Sequence, residues 1–149
     1  MKADITEFLK NYIFWTSAAA WVIAQTLKVV LGVIREKRFN FRWFVGTGGM
    51  PSSHAAGVSA LATSVGTTYG FDSGLFAIAL TFTLIVMFDA QGVRLAAGRQ
   101  AEILNKMLDD IYWKKKLDDD KLKELIGHTQ VEVFAGAALG IIVSLLLYK

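Results

Sequence analysis

Residues 74–88 read GLFAIALTFTLIVMF, an uninterrupted run without one charged side chain. A helix rising about 1.5 Å per residue needs about 20 mostly apolar residues to cross the hydrocarbon core of a bilayer. This run is the clearest of four segments that approach that requirement. The first covers about 12–34, carries Trp15 and Trp21, and is interrupted only by Gln25 and Lys28 near its end. The second, about 52–69, is rich in Ala, Gly, Ser and Thr, and the fourth, about 129–148, is apolar apart from Glu132.

The second segment would make a poor lipid-facing helix. Small side chains let helices approach closely inside a bilayer, which places it centrally. Gly136 and Gly140 form a GxxxG pair on the fourth, suited to a tight crossing within the chain or between two copies. The expected fold is all-α: an integral membrane helical bundle of about four transmembrane helices, one domain over 1–149, with no internal repeat.

Composition agrees. Hydrophobic residues make up 54% of the 149 and charged ones 19%, and the mean hydropathy is +0.42, above a usual soluble domain. With no cysteine, disulfides, thiol chemistry and thiolate metal sites are excluded. The net charge of +3 comes without an arginine-rich, aromatic-interleaved stripe, so no nucleic-acid partner is expected. The amino terminus, MKADITEFLKNYIFW, lacks the basic start and small-residue cleavage site of a secretory signal, and the first segment reads as retained.

Two polar connections remain. Residues 35–50 are basic and aromatic and end in glycines. Residues 96–127 read as a surface helix, a break around WKKKLDDD, and a short second helix. Ile103, Met107 and Ile111 recur at four-residue spacing, which predicts an amphipathic helix on the membrane surface. Twelve of the 16 Lys and Arg fall in or beside these connections. The positive-inside rule then puts both connections in the cytoplasm and both termini outside, in a multi-pass protein of the cell (plasma) membrane.

On that topology the unusual polar residues converge on the cytoplasmic face. Lys28 lies near that end of the first helix, Ser52, Ser53 and His54 open the second, Asp89 and Arg94 close the third, and His128 and Glu132 open the fourth. Ionisable groups at membrane depth are costly and usually functional. His54 sits in GTGGMPSSHAAG, where glycines such as Gly49 let backbone approach a ligand and the first-turn amides, with the hydroxyls of Ser52 and Ser53, can accept an anion. A histidine at that point is placed to donate a proton to a leaving oxygen. His128 and Glu132, four residues apart in GHTQVEVFAG, share a helical face. A carboxylate on one ring nitrogen fixes the tautomer and leaves the other nitrogen to attack. Lys28 and Arg94 are the phosphate clamps, with Gln25 and Asp89 as supporting groups. Asp89 lies about 140° round the helix from Arg94. Two histidines without an HxxxH or HExxH spacing do not make a zinc site, and none is expected.

The PSSH and GHxxxE strings resemble the type 2 phosphatidic acid phosphatase superfamily, which includes vanadium-dependent haloperoxidases. GGMPSSHAAGVSAL, IVMFDAQGVRLAAGRQAEILN and LIGHTQVEVFAG are similar to its divergent small bacterial branch. The resemblance implies that His128 is the nucleophile forming a phosphohistidine, Glu132 the acid orienting it, and His54 the acid protonating the leaving alcohol. Ser52 matches the phosphate-binding serine, Ser53 stands where the family has glycine, and Lys28 stands for the first-motif lysine. No metal or other cofactor is implied. Three departures stand out: no Arg-Pro pair follows Lys28, Leu122 occupies the place of the third-motif arginine, and the acid is Glu rather than Asp. From its placement, Arg94 is the candidate replacement for that arginine.

The expected function is hydrolysis of a lipid phosphomonoester, of the phosphatidic acid or phosphatidylglycerophosphate type, by a metal-independent phosphatase at the cytoplasmic face. The alternative is a non-catalytic membrane protein retaining a phosphate or lipid-headgroup site. Four short helices bury little polar surface around such a site alone, which suggests a homodimer.

Overall fold

In the computed structural model, residues 5–37, 49–112 and 128–148 are described, with backbone alone at 92–99, 102 and 108–112. They form five helices: α1 (Ile5–Leu9), α2 (Tyr12–Glu36), α3 (Ser53–Tyr69), α4 (Gly74–Tyr112) and α5 (Gln130–Leu147). No strand occurs among the described residues.

Local sequence explains where the helices begin and end. The Asn11 side chain caps α2 by accepting from the Phe14 N–H at 3.0 Å, and Lys37, with φ 51°, closes it by donating to the Val33 carbonyl. Ser52 caps α3, and Thr129 caps α5. Each cap supplies an acceptor to amides that have no partner inside the helix.

α3 is the centre of the bundle, packed against α2, α4 and α5. Ten of its 17 residues are buried, almost all Ala, Ser or Gly. α2 turns Thr16, Ala20, Ala24 and Lys28 inward, a four-residue repeat along one buried face. α5 meets it through Gly136 and Gly140. A Cβ at Gly136 would collide with the Ser52 carbonyl, and one at Gly140 with the Ala56 carbonyl. The GxxxG pair thus serves a crossing inside the chain. Larger apolar side chains point outward, among them Ile78, Phe88, Phe134 and Leu146. In lipid there is no hydrophobic reward for burying them, and close backbone packing with interhelical hydrogen bonds holds such a bundle instead.

The all-α membrane bundle is as expected. Among the described residues three helices, α2, the 74–91 part of α4, and α5, are long and apolar enough to cross a membrane. α3 is not among them: it has only 17 residues, and the small and hydroxylated side chains that let it sit centrally also lower its hydropathy. The surface helix expected to start near residue 96 is not a separate element, since α4 runs unbroken for 39 residues. Residues 89–112 contain no proline and are mostly strong helix formers, so nothing stops the helix at the bilayer edge. At about 1.5 Å per residue it is about 58 Å long, roughly twice the hydrocarbon core. Ile103 and Met107 are exposed on that extension. Residues 113–127, with the expected break and second short helix, lie outside the described residues.

Candidate active site

The N-termini of α3 and α5 meet at one end of the bundle. The Ser52 N–H donates to the Glu132 carbonyl at 3.0 Å, and the His128 N–H donates to the Ala90 carbonyl of α4 at 3.3 Å. Three helices are therefore stitched together by backbone within a few residues of both histidines. The rings of His54 and His128 come to a centroid separation of 6.3 Å at an interplanar angle of 61°.

His128 Nδ1 lies 3.1 Å from Glu132 Oε2, and the His128 side chain is almost completely enclosed. The same carboxylate oxygen accepts the Thr129 N–H at 3.0 Å, while Thr129 Oγ1 accepts the Glu132 N–H at 3.3 Å. This reciprocal capping box holds Glu132 against the helix start. One carboxylate thus caps α5 and fixes the histidine, presenting Nε2 on the far side of the ring. The structure puts Glu132 on the ring nitrogen, and Asp89, expected as a supporting group, is exposed on α4.

Lys28 comes from α2 and is buried, as is Gln25 one turn before it. The Lys28 ammonium is within electrostatic reach of the Glu132 carboxylate. Its stem runs beneath the loop before α3, where a Cβ on Gly49 would stand 3.0 Å from Lys28 Cδ. Gly49 also has φ +90°, so this position favours glycine on two counts. Ser52 and Ser53 are buried at the first turn of α3, and the Ser52 hydroxyl accepts the Ala55 N–H at 3.4 Å. Arg94 lies on the α4 backbone, and its side chain is outside the described residues.

The structure therefore gathers His54, His128, Glu132, Lys28, Gln25, Gly49, Ser52 and Ser53 at one end and leaves Asp89 outside. Thr129 and the Ala90 carbonyl are supporting groups that the sequence reading missed. Thr129 was legible in principle, since TQVE before an apolar run has the form of a capping box; the carbonyl carried no signal. Chemically, a carboxylate-bonded imidazole faces a second imidazole across a gap, beside a buried ammonium and a helix N-terminus. That set suits binding an oxyanion, attacking it and protonating a leaving group. Among the described residues no three His, Cys, Asp or Glu side chains gather so as to hold a metal ion.

Residues 9–143 match the family described as the Divergent PAP2 family. The chain is also 41% identical over 152 residues to the "Uncharacterized membrane protein YuiD" of Bacillus subtilis (strain 168), covering 95% of this chain and 96% of that one. No solved structure matches.

Proposed function

Because this chain belongs to the Divergent PAP2 family, we propose that it is a membrane phosphatase that hydrolyses a lipid phosphomonoester through a phosphohistidine, with its site at the cytoplasmic face of the plasma membrane. The observation carrying this reading is the histidine pair, 6.3 Å apart, with Glu132 on His128 Nδ1.

In the proposed reaction, neutral His128 attacks phosphorus through the Nε2 lone pair while the bond to the lipid oxygen breaks. Protonated His54 gives its proton to that oxygen, releasing the alcohol. The positive charge left on the His128 ring is balanced by Glu132. His54, now neutral, takes a proton from water as the water oxygen attacks phosphorus and the P–N bond breaks, freeing inorganic phosphate and restoring both histidines. Lys28, with Arg94, Ser52, Ser53 and the Gly49 backbone, holds the phosphoryl oxygens, and Gln25 steadies Lys28.

Phosphatidic acid and phosphatidylglycerophosphate fit a site at the cytoplasmic interface, because their headgroups reach it without leaving the bilayer. The test is phosphate release by purified protein in detergent, with chelator present. Wild type should turn over, and His128→Ala should abolish release while leaving the unfolding temperature within a few degrees. His54→Ala should lower the rate by about 10²–10⁴-fold, the usual contribution of a positioned general acid. A second reading, a phosphate-binding protein without turnover, is favoured by His128 being only 2% exposed. Stabilisation by vanadate with no release from any lipid phosphate would select it.

A further inference from the structure

Among the described residues α2 and α4 do not pack against each other; each leans on α3, leaving a gap between them whose floor is α3. The gap is an open groove of about 410 Å³, walled by Phe14, Ala18 and Trp21 of α2 and by Phe82 and Val86 of α4. Gly57 and Val58 form its floor. The Ser17 hydroxyl on its wall is already engaged, donating to the Gly57 carbonyl at 2.8 Å. The wall also carries the Trp21 indole N–H and His54, which lies at the end nearest His128. From Trp21 back to Phe14 the groove runs seven residues along α2, about 10 Å at 1.5 Å per residue, away from the histidines and into the apolar depth of the bundle.

We propose that this groove seats one acyl chain of the substrate, so that a lipid phosphate is held at two points: the phosphoryl group between the histidines and a chain between α2 and α4. The proposal rests on the phosphatase reading. Both walls belong to helices that can cross the membrane, so at this depth the surrounding solvent is lipid tail, and an apolar slot opening sideways fills with tail. A tail leaving the bilayer for such a slot gains little transfer free energy, since the two surroundings are equally apolar. The slot instead orients the lipid and delivers its ester oxygen to the His54 end, where small misplacements are expensive in rate. Because the slot has room for one chain beside His54, a one-chain and a two-chain phosphate lipid should be hydrolysed alike.

Two measurements test this. In the first, Ala18→Phe and Val86→Phe fill the groove from opposite walls, and kcat/KM is measured for dioleoyl phosphatidate and for a water-soluble phosphomonoester without a chain. Each variant should lose on the order of tenfold or more on the lipid, within the range that misplacement costs, and less than twofold on the soluble ester. Equal losses on both substrates would overturn the groove while leaving the phosphatase intact. In the second, Trp21 is kept as the sole tryptophan (Trp15→Phe, Trp43→Phe, Trp113→Phe) in a His128→Ala background within phosphatidylcholine vesicles. Phosphatidate brominated on its chain should quench Trp21 at least twice as strongly as brominated phosphatidylcholine at the same mole fraction, and Ala18→Phe should remove the difference. Equal quenching by the two lipids would sink the proposal. If wild type hydrolyses neither substrate, the phosphatase reading fails and the quenching alone decides whether the groove selects a phosphate lipid.

Discussion

At one end of α3 stand His54, His128, Glu132 and Lys28; at the other, Ser64, Ser144, Thr67 and the hydroxyls of Tyr12 and Tyr148. Both groups are polar, and both include side chains that are fully or nearly fully enclosed. At the far end Ser64 and Ser144 share a hydrogen bond of 2.8 Å, Tyr148 donates to the Thr67 carbonyl at 3.2 Å, and Tyr12 to the Ser144 carbonyl at 3.5 Å. These are neutral groups satisfying one another or the backbone, which is how polar atoms glue helices in a bilayer. At the histidine end the groups are ionisable, and placing them there costs far more than gluing requires. Hydroxyls would have served for packing; the choice of imidazole, carboxylate and ammonium points to chemistry. The difference predicts that substitutions at one end move rate and at the other only stability.

The largest separation should come from Glu132→Gln. Glutamine also completes a capping box, so α5 should begin where it does now and the unfolding midpoint should barely move. An amide cannot balance charge on the His128 ring, and it can favour the wrong tautomer. Phosphate release should fall by between about 10²- and 10⁴-fold, by analogy with other carboxylate–histidine pairs. An active Glu132→Gln variant would mean that this carboxylate is only a cap, and the two ends would then be alike.

Gly136 and Gly140 sharpen the comparison because they lie one turn apart on the same crossing. Alanine at either must push α5 off an α3 carbonyl, at about 1–3 kcal/mol for an overpacked contact. The carbonyl at Gly136 belongs to Ser52, whose N–H is tied to Glu132. Gly136→Ala should therefore lower turnover as well as stability, while Gly140→Ala should lower stability more than rate. Thr129→Ala comes next: losing the cap costs about 1 kcal/mol, and rate should drop severalfold as Glu132 loosens against His128. Unfolding in a denaturing detergent, read beside phosphate release, separates the two effects.

Parts of this arrangement were legible in the chain. The four-residue interval from His128 to Glu132 predicts that the two meet, and the pair is bonded, although His128 precedes the Thr129 cap and so stands before α5 instead of on its face. The small residues of 52–69 predict a central helix, and α3 is central. Other parts were hidden for physical reasons. Hydropathy marks where lipid ends, and α4 continues past that point because its polar residues are themselves helix formers. A GxxxG pair announces a close approach but not the partner, which is settled by where the Ser52 and Ala56 carbonyls lie. Asp89 carries the same charge as Glu132, and only the rotation of α4 leaves it exposed.

The smallest effect tests the far end. Ser144→Ala removes one partner of the Ser64 hydroxyl, and a buried hydroxyl left unsatisfied costs about 1–3 kcal/mol in a soluble core. Two features argue for less. Hydrogen bonds between membrane helices average about 0.6 kcal/mol when measured by double substitution. A helical hydroxyl can also turn back to a carbonyl one turn earlier, as Thr63, Thr67 and Thr81 already do here. Ser64, freed from Ser144, has the Ala60 carbonyl at that spacing. Ser144→Ala should thus cost well under 1 kcal/mol, and a cycle with Ser64→Ala should give a coupling of the same size with unchanged phosphate release. A loss above 2 kcal/mol would show that the hydroxyl cannot turn back. A fall in turnover would show that the two ends are coupled through α3, and that the far end contributes to chemistry as well as to packing.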